Sequence, residues 1–133
     1  MQYGETVRTA LAFDDAVART REALADQGFG VLTEIDVQAT MKEKLDADVE
    51  PQIILGACNP SLAYKALQAE PGIGLLLPCN VVVRSERDQT LVSAVDPQMM
   101  VSLPSNADLQ PVADEAAQRL GAALQAVAAT WVP

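Results

Sequence analysis

The chain has 133 residues, half of them hydrophobic and a fifth charged, which are the proportions of a globular protein with a core of its own; the reading is a single domain, 1–133. Its net charge of −9 excludes nucleic acid and anionic membrane as expected partners, since both repel an acidic surface, and solubility alone accounts for the acidity. With no histidine, a Ser–His–Asp or Cys–His mechanism and any His-ligated metal site are ruled out within one chain.

Met1 leads into Gln2, Tyr3, Gly4 and Glu5 rather than a basic and then apolar leader, and no apolar run approaches the roughly 20 residues of a membrane-spanning helix. The expectation is a cytoplasmic protein, in which two cysteines are free thiols or ligands rather than a structural disulfide. Aromatic residues are only 4%, so Leu, Val, Ile and Ala must fill the core.

Tyr3–Thr9 has the alternation of a short strand. Phe13, Val17 and Leu24 fall near one helical face, Asp14 and Asp15 occupy the favourable first turn, and Gly28 stands where a left-handed cap is wanted. Gly30–Ile35 reads as a strand, and Asp36 as the cap of a short helix Val37–Leu45. A third strand, Ile53–Leu55, closes with Gly56, Ala57 and Cys58. Asn59-Pro60 then supplies a cap and a first-turn proline for a helix with the apolar stripe Leu62, Ala63, Ala66 and Leu67.

Pro71-Gly72 stops that helix. Ile73–Leu77 and Val81–Val83 are strand material on either side of Pro78, where a bulge or edge is expected because proline cannot donate to a ladder. Arg84–Gln89 is a polar hairpin turn leading to Thr90–Val95. Pro97–Asn106 is a loop or a short helical turn carrying Met99 and Met100. A long helix follows, with Asp108 as its cap, Pro111 in its first turn, and the stripe Val112, Ala116, Leu120, Ala123 and Val127. The order of βα units implies some parallel pairing and the late hairpin an antiparallel pair. The fold class is therefore α+β: a mixed sheet with helices largely on one face.

Three segments carry a family resemblance. Gly28–Asp36 (GFGVLTEID), Leu55–Pro60 (LGACNP) and Gly74–Val81 (GLLLPCNV) resemble, in order and spacing, the characteristic runs of the family catalogued as domain of unknown function 302. The resemblance extends from Tyr3 to about Val127. It implies a fold similar to one half of the TATA-binding protein with added helices, often as a homodimer. It implies no catalytic residue.

The residues themselves point to the cysteines. Cys58 precedes the Asn59 cap, where exposed helix N–H groups favour a thiolate; it is equally placed to be a small buried hydrophobe at a strand end. Cys79 lies between Pro78 and Asn80 in an apolar run, where a kink re-aims side chains. Both read as C-terminal strand ends, where α/β sheets place ligands, so Cys58, Asn59, Cys79 and Asn80 form the candidate site. Two thiolates suit Cu(I), or Zn²⁺ completed by carboxylates or a second subunit, and one thiolate suits haem iron. Met99 and Met100 offer thioethers to the same metal or plug a gap.

Glu34, Asp36 and Lys42 form a second set, either an acid–base group or a cap, an exposed carboxylate and a solvated lysine. No glycine pattern supports nucleotide binding. The leading expectation is a binding protein for a soft metal, haem or small molecule. The alternatives are an enzyme using a low-pKa cysteine with Lys42 or Glu34 as helper, and a structural homodimer without a site.

Overall fold

Alternation of buried and solvated positions builds the central strands. In the strand Cys79–Glu86, Val81 and Val83 are fully buried, while Val82 between them and Arg84 after them point to the other face and keep part of their surface. The computed structural model describes residues 3–102 and 105–132. The leader reading at Met1 and Gln2, and residues 103 and 104 of the expected Pro97–Asn106 loop, lie outside them.

Five strands are described, β1 (Gly4–Thr9), β2 (Gly30–Asp36), β3 (Gln52–Cys58), β4 (Cys79–Glu86) and β5 (Gln89–Val95). The helices are α1 (Phe13–Asp26), α2 (Val37–Leu45), α3 (Pro60–Ala69), α4 (Met99–Ser102) and α5 (Gln110–Ala128). The strands form one sheet in the order β1-β5-β4-β3-β2. All four pairings are antiparallel. The α+β class stands, and the expected mixed sheet is corrected to an antiparallel one.

The physical reason lies in what the helical connections do. The segment carrying α2 leaves the sheet after Asp36 and returns beside it, since Asp36 pairs with Ile53. The segment carrying α3 leaves after Cys58 and returns at Cys79, opposite Ala57. Neither connection traverses the sheet, so each next strand runs back along its neighbour. Only α1 makes a long crossing, from the β1 edge to the β2 edge.

Helices α1 and α5 pack together over one face of the sheet. Between them and the sheet lies a core of Leu24, Phe29, Leu55, Val81, Val83, Val92, Leu120, Leu124 and Val127. A second buried cluster, Leu62, Ala66, Ile73, Met100, Leu109, Val112, Ala113 and Ala116, joins α3 to the start of α5 and the intervening turns. The opposite face of the sheet carries polar groups such as the Thr6 and Ser93 hydroxyls, hydrogen-bonded at 2.8 Å.

Local chemistry sets the element ends. Gly28 takes a positive φ of 82° after α1, the left-handed turn expected of it. Asp36 Oδ1 accepts from the Ala39 N–H at 2.9 Å and caps α2. The β4–β5 turn is tighter than Arg84–Gln89: the strands run to Glu86 and from Gln89, and Arg87 and Asp88 both take positive φ, as a two-residue hairpin requires. Ile73–Leu77 is not a strand; Pro71–Leu76 forms a 3₁₀ helix, which satisfies backbone groups locally where no ladder partner is in reach. Asp108 does not cap the long helix. Asn106 accepts from the Asp108 N–H at 3.0 Å and caps the 3₁₀ turn Ala107–Leu109, and α5 starts at Gln110 with Pro111 in its first turn.

Candidate functional site

The sharp turn into α3 begins the site. Asn59 Oδ1 accepts the Leu62 N–H at 3.2 Å, and Pro60 occupies the first turn, where its missing N–H costs nothing. This cap fixes Cys58 as the last residue of β3 and aims the apolar stripe of α3 back toward the sheet end. Leu62, Ala63, Ala66 and Leu67 all line a cleft there of about 330 Å³.

The cleft is the gap where the two hydrophobic clusters fail to close. Phe29 and Ala57 of the main core and the half-buried Cys79 form one side. Met100, Val112 and Ala116 of the second cluster form the other. Cys58, Asn59, Thr33, Leu77 and Pro78 complete the wall, and the exposed Leu32 reaches its rim. Among the described residues, no charged side chain lines it.

Pro78 is placed by Gly56. A Cβ on Gly56 would fall on Thr33 Oγ1 and come within 2.9 Å of Pro78 Cγ, so only glycine lets the β2 side chain and the proline ring meet over β3. The expected irregularity at Pro78 lies elsewhere in the sheet. Pro78 sits just before β4, following a cis peptide bond from Leu77, and the register shift is in β2 between Val31 and Thr33.

Both cysteines are free and half-buried, and both line this cleft. They meet for a reason opposite to the one expected: Cys79 begins β4 rather than ending a strand, and antiparallel pairing sets it beside the end of β3. Burial, and next the charge of a Cys58 thiolate, push the Cys79 thiol up to about 11. At neutral pH Cys79 is therefore a protonated thiol, the reverse of an activated nucleophile.

The remaining expected residues do not join them. Asn80 points to the other face of the sheet, into a groove with Tyr3, Gln52 and Arg84, because neighbouring strand residues face opposite ways. Glu34 pairs with Arg21 at 2.7 Å. Asp36 is spent on the α2 cap. Lys42 binds Asp46 at 2.9 Å and Asp48 at 3.2 Å, contacts that raise its pKa. Glu34 and Asp36 do line a shared surface groove, but Lys42 is not part of it. In place of the expected acid–base trio, the structure has three ion pairs, Glu34–Arg21, Lys42–Asp46 and Lys42–Asp48, and the Asp36 cap.

A second, smaller cavity of about 100 Å³ adjoins the first, lined by Leu76, Val95, Asp96, Pro97 and Met99. Cys79 and Met100 line both cavities and so form the partition between them. Of the apolar wall, Phe29 and Leu77 were not singled out from sequence, and Val112 and Ala116 were read only as the stripe of the last helix. The wall's one available signal was the α3 stripe, whose apolar width exceeds what Leu62 and Ala66 need for burial. Among the described residues, no three His, Cys, Asp or Glu side chains gather as a metal site, and no helix is long and apolar enough to cross a membrane.

Comparison with known proteins gives the following. The family model described as Domain of unknown function DUF302 matches residues 5–127. The crystal structure of an uncharacterized conserved protein DUF302 from Bacillus stearothermophilus is similar, with 30% sequence identity and a TM-score of 0.89, over 96% of this chain and 99% of that one. No curated protein matches.

Proposed function

The chain belongs to the DUF302 family, and from that premise we propose that it is a binding protein for a small, largely apolar molecule held in the cleft beside Cys58 and Cys79. The observation that carries this reading is the cleft itself. Its volume of about 330 Å³ falls at the lower end of the roughly 300–1,000 Å³ of small-molecule sites, and its lining is apolar with a few polar atoms, as such sites are. The thiols, Thr33 and Asn59 supply those polar atoms.

Other ligands and chemistries fit less well. Haem carries two carboxylates, and no basic side chain lines the cleft to meet them. A thiol enzyme needs a poised thiolate and a helper, whereas Cys79 is pushed up and Lys42 and Glu34 are paired elsewhere. The test is fluorescence titration with the neutral apolar probe N-phenyl-1-naphthylamine. The folded protein should bind one probe per chain, and Ala63→Leu, which fills the cleft from a half-buried position of α3, should weaken it at least about tenfold. Equal binding to wild type and variant would remove the cleft from consideration.

A homodimer is the second reading, favoured by apolar side chains left in solvent: Leu32, Tyr64 and Leu75 are 68%, 65% and 93% exposed. Pairing of two copies would cover part of that surface. Sedimentation at micromolar concentration should give a dimer that tightens with salt, because each copy carries a charge of −9. Monomer alone at every salt concentration rejects it.

A further inference from the structure

We propose that Cys58, Cys79 and Met100 together form a binding site for a soft monovalent cation, Cu(I), within the cleft. All three sulfur-bearing residues line one cavity. They reach it from three separate elements: the end of β3, the start of β4 and α4. The two thiols stand at the meeting ends of paired strands, Cys79 opposite Ala57 and Cys58 next in the chain. Met100 is buried and lines both cavities together with Cys79, so the two residues border the same space.

The chemistry of the donor set selects the ion. Thiolate and thioether are soft ligands that favour Cu(I), which accepts two or three sulfurs without further donors. Zn²⁺ wants four donors from thiolate, imidazole or carboxylate, and Ca²⁺ and Mg²⁺ want oxygens. Among the described residues the cleft wall holds no carboxylate, and the Asn59 side-chain oxygen is already engaged by the Leu62 N–H. The step is a ligand exchange without redox change: Cu⁺ displaces one proton from each thiol, giving a bis-thiolate complex of net charge −1 and two protons released to solvent. The cation also relieves the repulsion that two neighbouring thiolates would otherwise suffer in an apolar wall. This inference rests on where the sulfurs stand and not on the apolar ligand proposed above.

The test is anaerobic competition between the reduced, folded protein and the coloured Cu(I)–bicinchoninate complex, with the copper content of the protein counted afterwards. One Cu(I) per chain should transfer. Cys58→Ser and Cys79→Ser should each abolish transfer while keeping the wild-type far-UV circular dichroism. Met100→Leu, a volume-conserving change, should weaken the site about tenfold, the scale on which supporting groups around a metal act. X-ray absorption of the loaded protein should show sulfur neighbours alone. No transfer to folded wild type overturns the proposal, as does full transfer to Cys79→Ser. Unchanged affinity in Met100→Leu overturns the three-sulfur set. Titration of the same variants with N-phenyl-1-naphthylamine keeps the readings apart, since probe binding retained while copper is lost, or the reverse, assigns each failure to its own proposal. Should a serine variant lose its fold, the stoichiometry and absorption spectrum of wild type alone decide.

Discussion

Cys79 stands directly across the β3–β4 ladder from Ala57, one residue short of Cys58. This relationship depends on strand direction. β3 ends where β4 begins, and the 3₁₀ helix Pro71–Leu76 together with α3 returns the chain to the same end of the sheet. Two cysteines far apart in sequence come to line one cleft at a sheet end, with helix α3 capped immediately beside them. The local cap and the antiparallel return are both needed for the cleft to exist.

The first prediction concerns pH in the metal-free, reduced protein. Cys79 has a folded-state pKa raised to about 11, by burial first and the Cys58 charge second. A raised value means that folding favours the protonated thiol. The stability this contributes is complete below pH 9 and is lost as pH rises toward 11, because the unfolded chain releases its proton first. One proton corresponds to at most about 1.4 kcal/mol per pH unit, so the loss is on the order of 2 kcal/mol across the window. Urea unfolding of wild type and Cys79→Ala at pH 7, 9 and 10.5 isolates the effect from lysine and tyrosine titration. Wild type should lose more stability than the variant; parallel losses would show that Cys79 is not held protonated by the fold.

Gly56 supplies the second. A methyl group there meets Thr33 Oγ1 and lies 2.9 Å from Pro78 Cγ, and a strand interior cannot move away cheaply. Gly56→Ala should destabilise by about 1–3 kcal/mol through overpacking. Removing one of the two obstacles in Gly56→Ala/Thr33→Ala should recover part of that, a positive coupling readable in a double-mutant cycle. Strict additivity of the two changes would mean that Thr33 is not what the methyl group strikes.

Much of this was legible from local chemistry. Asn59-Pro60, Asp36 and Gly28 do what their side chains and backbone preferences dictate within one turn. Strand direction is not a local property. A β–α–β order is compatible with either sense until the path of the connection is known, so Cys79 was placed at the wrong end of its strand. Ile73–Leu77 has strand composition, yet its neighbours in space are α3 and the second cluster, and it coils into a 3₁₀ helix. Lys42 was grouped with Glu34 by proximity in sequence, while Asp46 and Asp48 lay closer and won the contact. The cleft needed both clusters in place before a gap between them could be seen.

The third prediction separates caps from contacts. Asn59→Ala should cost about 1 kcal/mol by leaving the Leu62 N–H unpaired, and Asn59→Asp should retain most of it, since Asp is as good a cap. Asp36→Ala should cost a similar amount at α2. Glu34→Gln and Lys42→Met break exposed ion pairs, which contribute little in solvent. All of the last three should bind N-phenyl-1-naphthylamine and Cu(I) as wild type does. A loss of either ligand in Glu34→Gln or Lys42→Met would restore those residues to the site.

The partition between the two cavities gives the last prediction. Met100 is buried and faces both spaces, whereas Met99, its neighbour, is 40% exposed and lines only the smaller one. Truncating Met100 removes the thioether side chain from between cavities of about 330 and 100 Å³. Met100→Ala should therefore cost about 2–5 kcal/mol, the range for a large buried side chain whose surroundings cannot fully collapse. Met99→Ala should cost well under half as much, since part of its surface is already in water. The merged space should also admit an apolar probe too long for the wild-type cleft. A chain-length series of alkyl alcohols, competed against N-phenyl-1-naphthylamine, reads this directly. In wild type, affinity should rise by about 0.8 kcal/mol per methylene and then level off where the cleft is full. In Met100→Ala the plateau should move to longer chains. A plateau at the same length in both proteins would mean that Met100 does not divide the space, and that Cys79 alone, or the backbone behind it, closes the cleft.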